Sequence, residues 1–157
     1  MGQIPDDLLA ELIGSTRDVF EKMVFKELRS GTPIQGEAPR PRSNVVGTVA
    51  FAGERCGIVA FYSTTETAKA ITGAMLGMSP AEVNGEMPDA IGEVTNMIAG
   101  TFRTRMAAFG QPWAISIPTV TIGSDFYTKY CSDVRRAICP FAIDDDEIFV
   151  ELILTPR

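Results

Sequence analysis

Apolar residues at Leu8, Leu9, Leu12, Ile13, Val19, Phe20, Met23 and Val24 recur every three or four positions and predict an amphipathic helix over residues 6–29. Gly14 weakens its middle without changing the period. Residues 30–44 lose the periodicity and collect Gly and Pro, which predicts a loop with Arg40 and Arg42 solvated between prolines. From residue 45 the run VVGTVAFAGERCGIVAFYS predicts two strands joined by a short turn near Gly53, Glu54 and Arg55. A helix follows from Thr64 to about Gly77, with Thr64 or Ser63 as its N-cap. The longest helix is predicted over residues 86–109 and is closed by Gly110 and Pro112.

Trp113 to Gly123 alternates like a strand but carries Pro118 at its centre. Proline cannot donate to a ladder, so this segment is expected at an edge, at a bulge, or as a kink between two short strands. DVRRAICPFAI and EIFVELIL predict two closing strands, with DDDE at 144–147 as the turn between them. That acid run lacks the ligand alternation and central Gly of a calcium loop. The order of helix, two strands, two helices and about four strands predicts an α+β fold. It has two layers, with long helices packed on one face of a mostly antiparallel sheet. No repeat or low-complexity tract divides the chain, and residues 1–157 are expected to form a single domain.

Composition narrows the functions open to such a fold. The net charge of −6 and the lack of a basic stripe argue against nucleic acid, whose phosphates call for clustered Lys and Arg. The N-terminal stretch carries acids where a secretory signal has basic residues, and no run of 18 apolar residues could span a membrane. Cys56, Cys131 and Cys139 make an odd set without a C-x-x-C pair, which predicts reduced, ordinarily packed thiols and a cytoplasmic location. The Gly-rich nucleotide motifs are missing. Histidine is absent altogether, which removes His-dependent triads, imidazole metal ligands and the usual proton carrier near neutral pH.

Candidate chemistry concentrates on the long helix. At ~100° per residue, Asp89, Glu93, Asn96 and Gly100 fall within an arc of roughly 60°, opposite a stripe of Ile91, Val94, Ile98, Phe102 and Phe109. A merely solvated face is better built from Glu, Lys and Gln than from Asn and Gly, which weaken a helix. Gly100 either leaves a dent where another surface approaches the backbone or packs closely inside the protein. Asp89 also suits the first turn of a helix, where the dipole favours an acid.

DAIGEVTNMIAGTF followed by SIPTV resembles the CheC/CheX/FliY family of chemotaxis phosphatases. That family is marked by Asp or Ser, then Glu four on, Asn three on, and a proline about two dozen residues later. Those positions are Asp89, Glu93, Asn96 and Pro118. The segments GTVAF, GIVAFYS and AITGAMLGM are similar in order and spacing, so the resemblance covers nearly the whole chain. A single E-x-x-N pair makes this chain similar to the one-site CheX type.

The resemblance implies dephosphorylation of a phosphorylated CheY-type response regulator. The protein would have no cofactor of its own, because the regulator brings both the acyl phosphate and Mg²⁺. Asn96 would orient the attacking water and Glu93 would pair with the regulator's active-site lysine. Asp89, Gly100 and Pro118 would support docking. A homodimer is implied as well. The alternative is a module that binds a response regulator or flagellar switch component without hydrolysing anything.

Overall fold

In the computed structural model, which describes residues 2–36, 41–124, 126, 128–130 and 133–156, the first helix stops short of its apolar period. Helix α1 is Asp6–Val19, and a five-residue π turn, Phe20–Val24, continues it until Phe25 closes it at φ 60°. The apolar spacing runs on because Phe20, Val24 and Leu28 are all buried, but Leu28 reaches the core from irregular chain beyond the helix. The predicted loop then contributes two short strands, β1 (Arg29–Ser30) and β2 (Ile34–Gln35). Strands of two residues are too short to show a period. Arg42 is exposed, as expected, and Arg40 lies outside the described residues.

Strands β3 (Val45–Ala52) and β4 (Gly57–Ser63) form the predicted hairpin. Helix α2 is Thr65–Leu76, where the Thr64 hydroxyl accepts from the Thr67 amide and Gly77 ends the helix at φ 71°. Helix α3 is Met87–Ala108. Strands β5 (Ala114–Ile115) and β6 (Thr119–Ile122) lie on either side of Pro118. Strands β7 (Arg135–Ile143) and β8 (Asp146–Leu154) close the sheet through a two-residue turn. In that turn Asp144 takes φ 52°, a conformation Asp tolerates better than most residues, and its carboxylate meets Lys26 Nζ at 2.9 Å.

All pairings are antiparallel and the order is β1-β7-β8-β4-β3-β5, with β2 also on β7 and β6 also on β3. The result is the expected α+β architecture, three helices over an eight-stranded antiparallel sheet. One apolar core joins the helices to one sheet face through Leu12, Phe20, Phe61, Ile98, Phe102, Phe141 and Leu152 among others. A smaller cluster on other sheet positions groups Val46, Ala60, Tyr62 and Ile153 with Phe126, Tyr130 and Val134. Glu151, wholly buried within β8, accepts from Tyr62 Oη and Arg136 Nε, each at 2.5 Å. Burying that carboxylate is tolerable because both contacts are charge-assisted hydrogen bonds.

The thiols divide. Cys139 is buried on β7, and burial pushes its pKa up to about 12, which leaves it an unreactive thiol at neutral pH. Cys56 is exposed in the turn between β3 and β4, against the expectation of packing. Cys131 lies outside the described residues.

Helix α3 rests directly on the sheet. A Cβ added at Gly47 would overlap the Thr95 hydroxyl and come within 3.1 Å of Thr95 Cβ, so only a bare backbone in β3 allows this approach. The Thr95 hydroxyl, wholly buried, donates to the Ile91 carbonyl at 2.8 Å.

Candidate functional site

Helix α3 presents two unlike sides. Ala90, Ile91, Gly92, Val94, Thr95, Ile98, Ala99, Phe102 and Met106 are buried, whereas Asp89 and Glu93 are exposed and Asn96 and Gly100 are partly so. The four candidate positions therefore form a ridge on the solvent side that spans roughly 16 Å along the axis. Among the described residues, neither the Glu93 carboxylate nor the Asn96 amide has a hydrogen-bond or ion-pair partner. A Cβ added at Gly100 would meet nothing within 4 Å, so internal packing does not explain that glycine. Asp89 occupies the first turn, where the helix dipole suits its charge.

Phe109 does not continue the apolar stripe. It is 65% exposed, because it caps the helix at φ −93°, ψ 14° and no longer follows the helical turn.

Pro118 is brought against the same helix. Its ring carbons lie 3.8 and 3.9 Å from where a Cβ on Gly92 would stand, and Val120 Cγ2 lies at 3.4 Å. Gly92 precedes Glu93 and is four residues before Asn96, so Pro118 flanks the ridge. The strand register explains how it gets there. Phe51 pairs with Ile115 and Thr48 with Thr119, which leaves residues 116–118 opposite Val49 and Ala50 alone. This is a bulge with one extra residue. Ser116 holds it in place: its amide donates to the Ala50 carbonyl at 2.8 Å, and its hydroxyl accepts from the Ala50 amide at 2.9 Å. Pro118, which has no amide hydrogen, occupies the position where the ladder is already broken.

The far end of α3 is tied to α1. Arg105 donates to Asp18 at 2.5 Å and to Glu11 at 3.1 Å, and its guanidinium fills the space that a side chain at Gly14 would need. The hydrogen bond to Asp18 is the main cause, with Glu11 adding to it, of an Arg105 pKa raised above its ordinary value.

Gly92 is the ridge neighbour that periodicity misses, and a third weak helix former on α3 is the signal it leaves in the sequence. Among the described residues, no group of three or more Cys, Asp or Glu side chains is placed to hold a metal ion. No described helix is long and apolar enough to cross a membrane. The ridge can position a small polar group with an amide, pair a cation with a carboxylate and admit a close surface at Gly100.

Residues 45–142 match the family model described as chemotaxis phosphatase CheX. The chain is 28% identical over 139 residues to the CheY-P phosphatase CheX of Thermotoga maritima, covering 88% of each protein. Its fold is similar to that of the chemotaxis protein CheX from Desulfovibrio desulfuricans, with a TM-score of 0.85 at 24% identity over 94% of this chain and 99% of that one. It is also similar to a chain in the CheX-CheY-BeF3-Mg²⁺ complex from Borrelia burgdorferi, with a TM-score of 0.78 at 22% identity over 96% and 99% of the two chains.

Proposed function

The chain belongs to the CheX family of chemotaxis phosphatases, and from that premise we propose that it removes the phosphoryl group of a CheY-type response regulator through Glu93 and Asn96. The observation that supports these two residues is their exposure without partners, three positions apart, on a helix whose other side is packed. The regulator supplies the aspartyl phosphate and Mg²⁺. A relative captured with CheY, BeF3 and Mg²⁺ supports that division of labour. Asn96 holds a water in line with the acyl phosphate, and Glu93 pairs with the regulator's lysine and sets the register of the helix. Such positioning lowers the barrier by removing orientational freedom and needs no histidine. Asp89, Gly100 and Pro118 support the docking face. The test is to incubate the protein with a phosphorylated CheY-type regulator from its own source and follow phosphate loss.

Residues 1–157 act as one unit on this reading. Ile4 and Leu8 before the family match, and Ile148 and Leu152 after it, share the core with α3. We also propose a homodimer, read by light scattering at micromolar concentration, and a cytoplasmic location, where the regulator would be met.

Two variants probe the docking face. Glu93→Ala lowers both affinity and turnover, by about 2–5 kcal/mol in binding if its ion pair is desolvated. Titration with the beryllofluoride-activated regulator reads this, and unchanged affinity with unchanged turnover removes the role. Gly100→Leu leaves the isolated protein as stable as the parent or up to about 0.8 kcal/mol more so, because its surroundings are open and Leu is the better helix former. Dephosphorylation falls because the side chain fills the dent. A Leu variant with full activity would contradict the assignment.

A further inference from the structure

We propose that Arg103 pairs with a carboxylate on the phosphorylated regulator and so fixes the direction in which that partner lies along α3. The proposal rests on the reading of the Glu93–Asn96 ridge as the site of dephosphorylation. Helix geometry places Arg103 on the same line. It stands seven residues after Asn96, ~10.5 Å along the axis and within about 20° of it around the helix. Gly100 lies between the two, and a Cβ there would meet nothing within 4 Å, so the space between Asn96 and Arg103 is open.

Exposed cations are ordinary, and most need no explanation. Three observations separate this one. The positions that could give Arg103 a local partner on the helix are Ala99, Gly100, Met106 and Ala107, none of them an acid. The cation that α3 places in its last turn, where the helix dipole favours one, is Arg105. Arg105 is also the cation that binds α1, whereas Arg103 is exposed and has no hydrogen bond or ion pair among the described residues.

Charge therefore runs along the exposed line in one order: Asp89 and Glu93 negative, Asn96 and Gly100 neutral, Arg103 positive. The chemistry of the partner complements that order. Mg²⁺ is held by carboxylates together with phosphate oxygens, so the reacting face of the regulator carries acids. This chain has a net charge of −6 and brings Asp89 and Glu93 to that face, and Arg103 offsets part of the repulsion. With the regulator's lysine on Glu93, the complementary place for one of its acids is Arg103, ~15 Å further along the helix. Reversed docking would set like charges against each other at both ends. Arg103 touches no reacting atom, so it acts on encounter and KM rather than on kcat.

The test is steady-state dephosphorylation of a CheY-type regulator from the source organism, kept phosphorylated with acetyl phosphate. Arg103→Glu is expected to raise KM about tenfold at about 0.1 M salt, with kcat within about twofold. Its ratio to the parental KM should shrink at about 1 M salt, where the screening length falls to about 3 Å. Arg103→Lys keeps the charge and should hold KM near the parental value. Lys129→Glu makes the same change in net charge elsewhere. It lies exposed between Phe126 and Tyr130, which pack on the sheet face away from the helices, and should leave KM unchanged. An unchanged KM in Arg103→Glu, a rise that salt does not reduce, or an equal rise in Arg103→Lys or Lys129→Glu overturns the proposal. A change in oligomeric state by light scattering that accounts for the rise also overturns it, since a second copy of the chain would then be the partner of Arg103. Asn96→Ala, measured alongside, separates the two readings. An inactive Asn96→Ala with a normal KM in Arg103→Glu rejects the pairing only, whereas parental kcat in Asn96→Ala rejects the ridge as the reaction site.

Discussion

Asn96→Ala loses about 10²–10³ in the rate of phosphate release, the usual cost of removing one positioned group that acts on the transition state. The protein itself should not suffer. Asn96 is only partly buried and has no side-chain partner among the described residues, and Ala is the better helix former by several tenths of a kcal/mol. The loss therefore appears in turnover while the thermal transition stays level or rises slightly, and binding of the beryllofluoride-activated regulator stays near parental. Turnover close to the parent's would refute the water-orienting role.

Gly47→Ala is a small change outside the ridge that damages both stability and activity. The added methyl collides with Thr95, which is wholly buried and held by its bond to Ile91, so α3 must lift from β3. Overpacking of this kind costs about 1–3 kcal/mol, which lowers the melting temperature by several degrees in a chain of this size. Activity falls further than stability alone explains, because Thr95 is the chain neighbour of Asn96 and a shift of about 1 Å can cost 10²-fold in a positioned reaction. Denaturant unfolding and turnover are read together, with Thr95→Ala as the second arm of a double-mutant cycle. Removing the hydroxyl and Cγ2 at 95 restores part of the stability in the double variant. Parental stability and activity in Gly47→Ala alone would show that the sheet does not set the height of the helix.

The ridge was legible in the sequence because a helix imposes its geometry on its own residues. Once residues 86–109 read as helical, Asp89, Glu93, Asn96 and Gly100 had to share a line whatever packed behind them. Thr64 and Gly77 were equally readable, since caps depend on the chain next to them. The π turn after Val19, the short strands β1 and β2, and the carboxylate of Glu151 depend instead on which strands meet, and no local pattern encodes that. Pro118 was half readable. Its broken ladder followed from its chemistry, but its contact with Gly92 required the register of β6 on β3.

Arg105 has a consequence for the ridge although it lies beyond it. Glu11 and Asp18 are seven residues apart, two turns of α1, and the guanidinium reaches both by lying across Gly14 between them. That cross-brace resists rotation of α3 about its long axis. Rolling the helix by one residue's worth, ~100°, would turn the amide of Asn96 away from any partner without breaking a single turn of helix. Helix α1 thus contributes no side chain to the ridge and still helps to hold its azimuth, beside the buried stripe of Ile91, Val94, Ile98 and Phe102, so that the direction in which Asn96 faces is shared with the first helix.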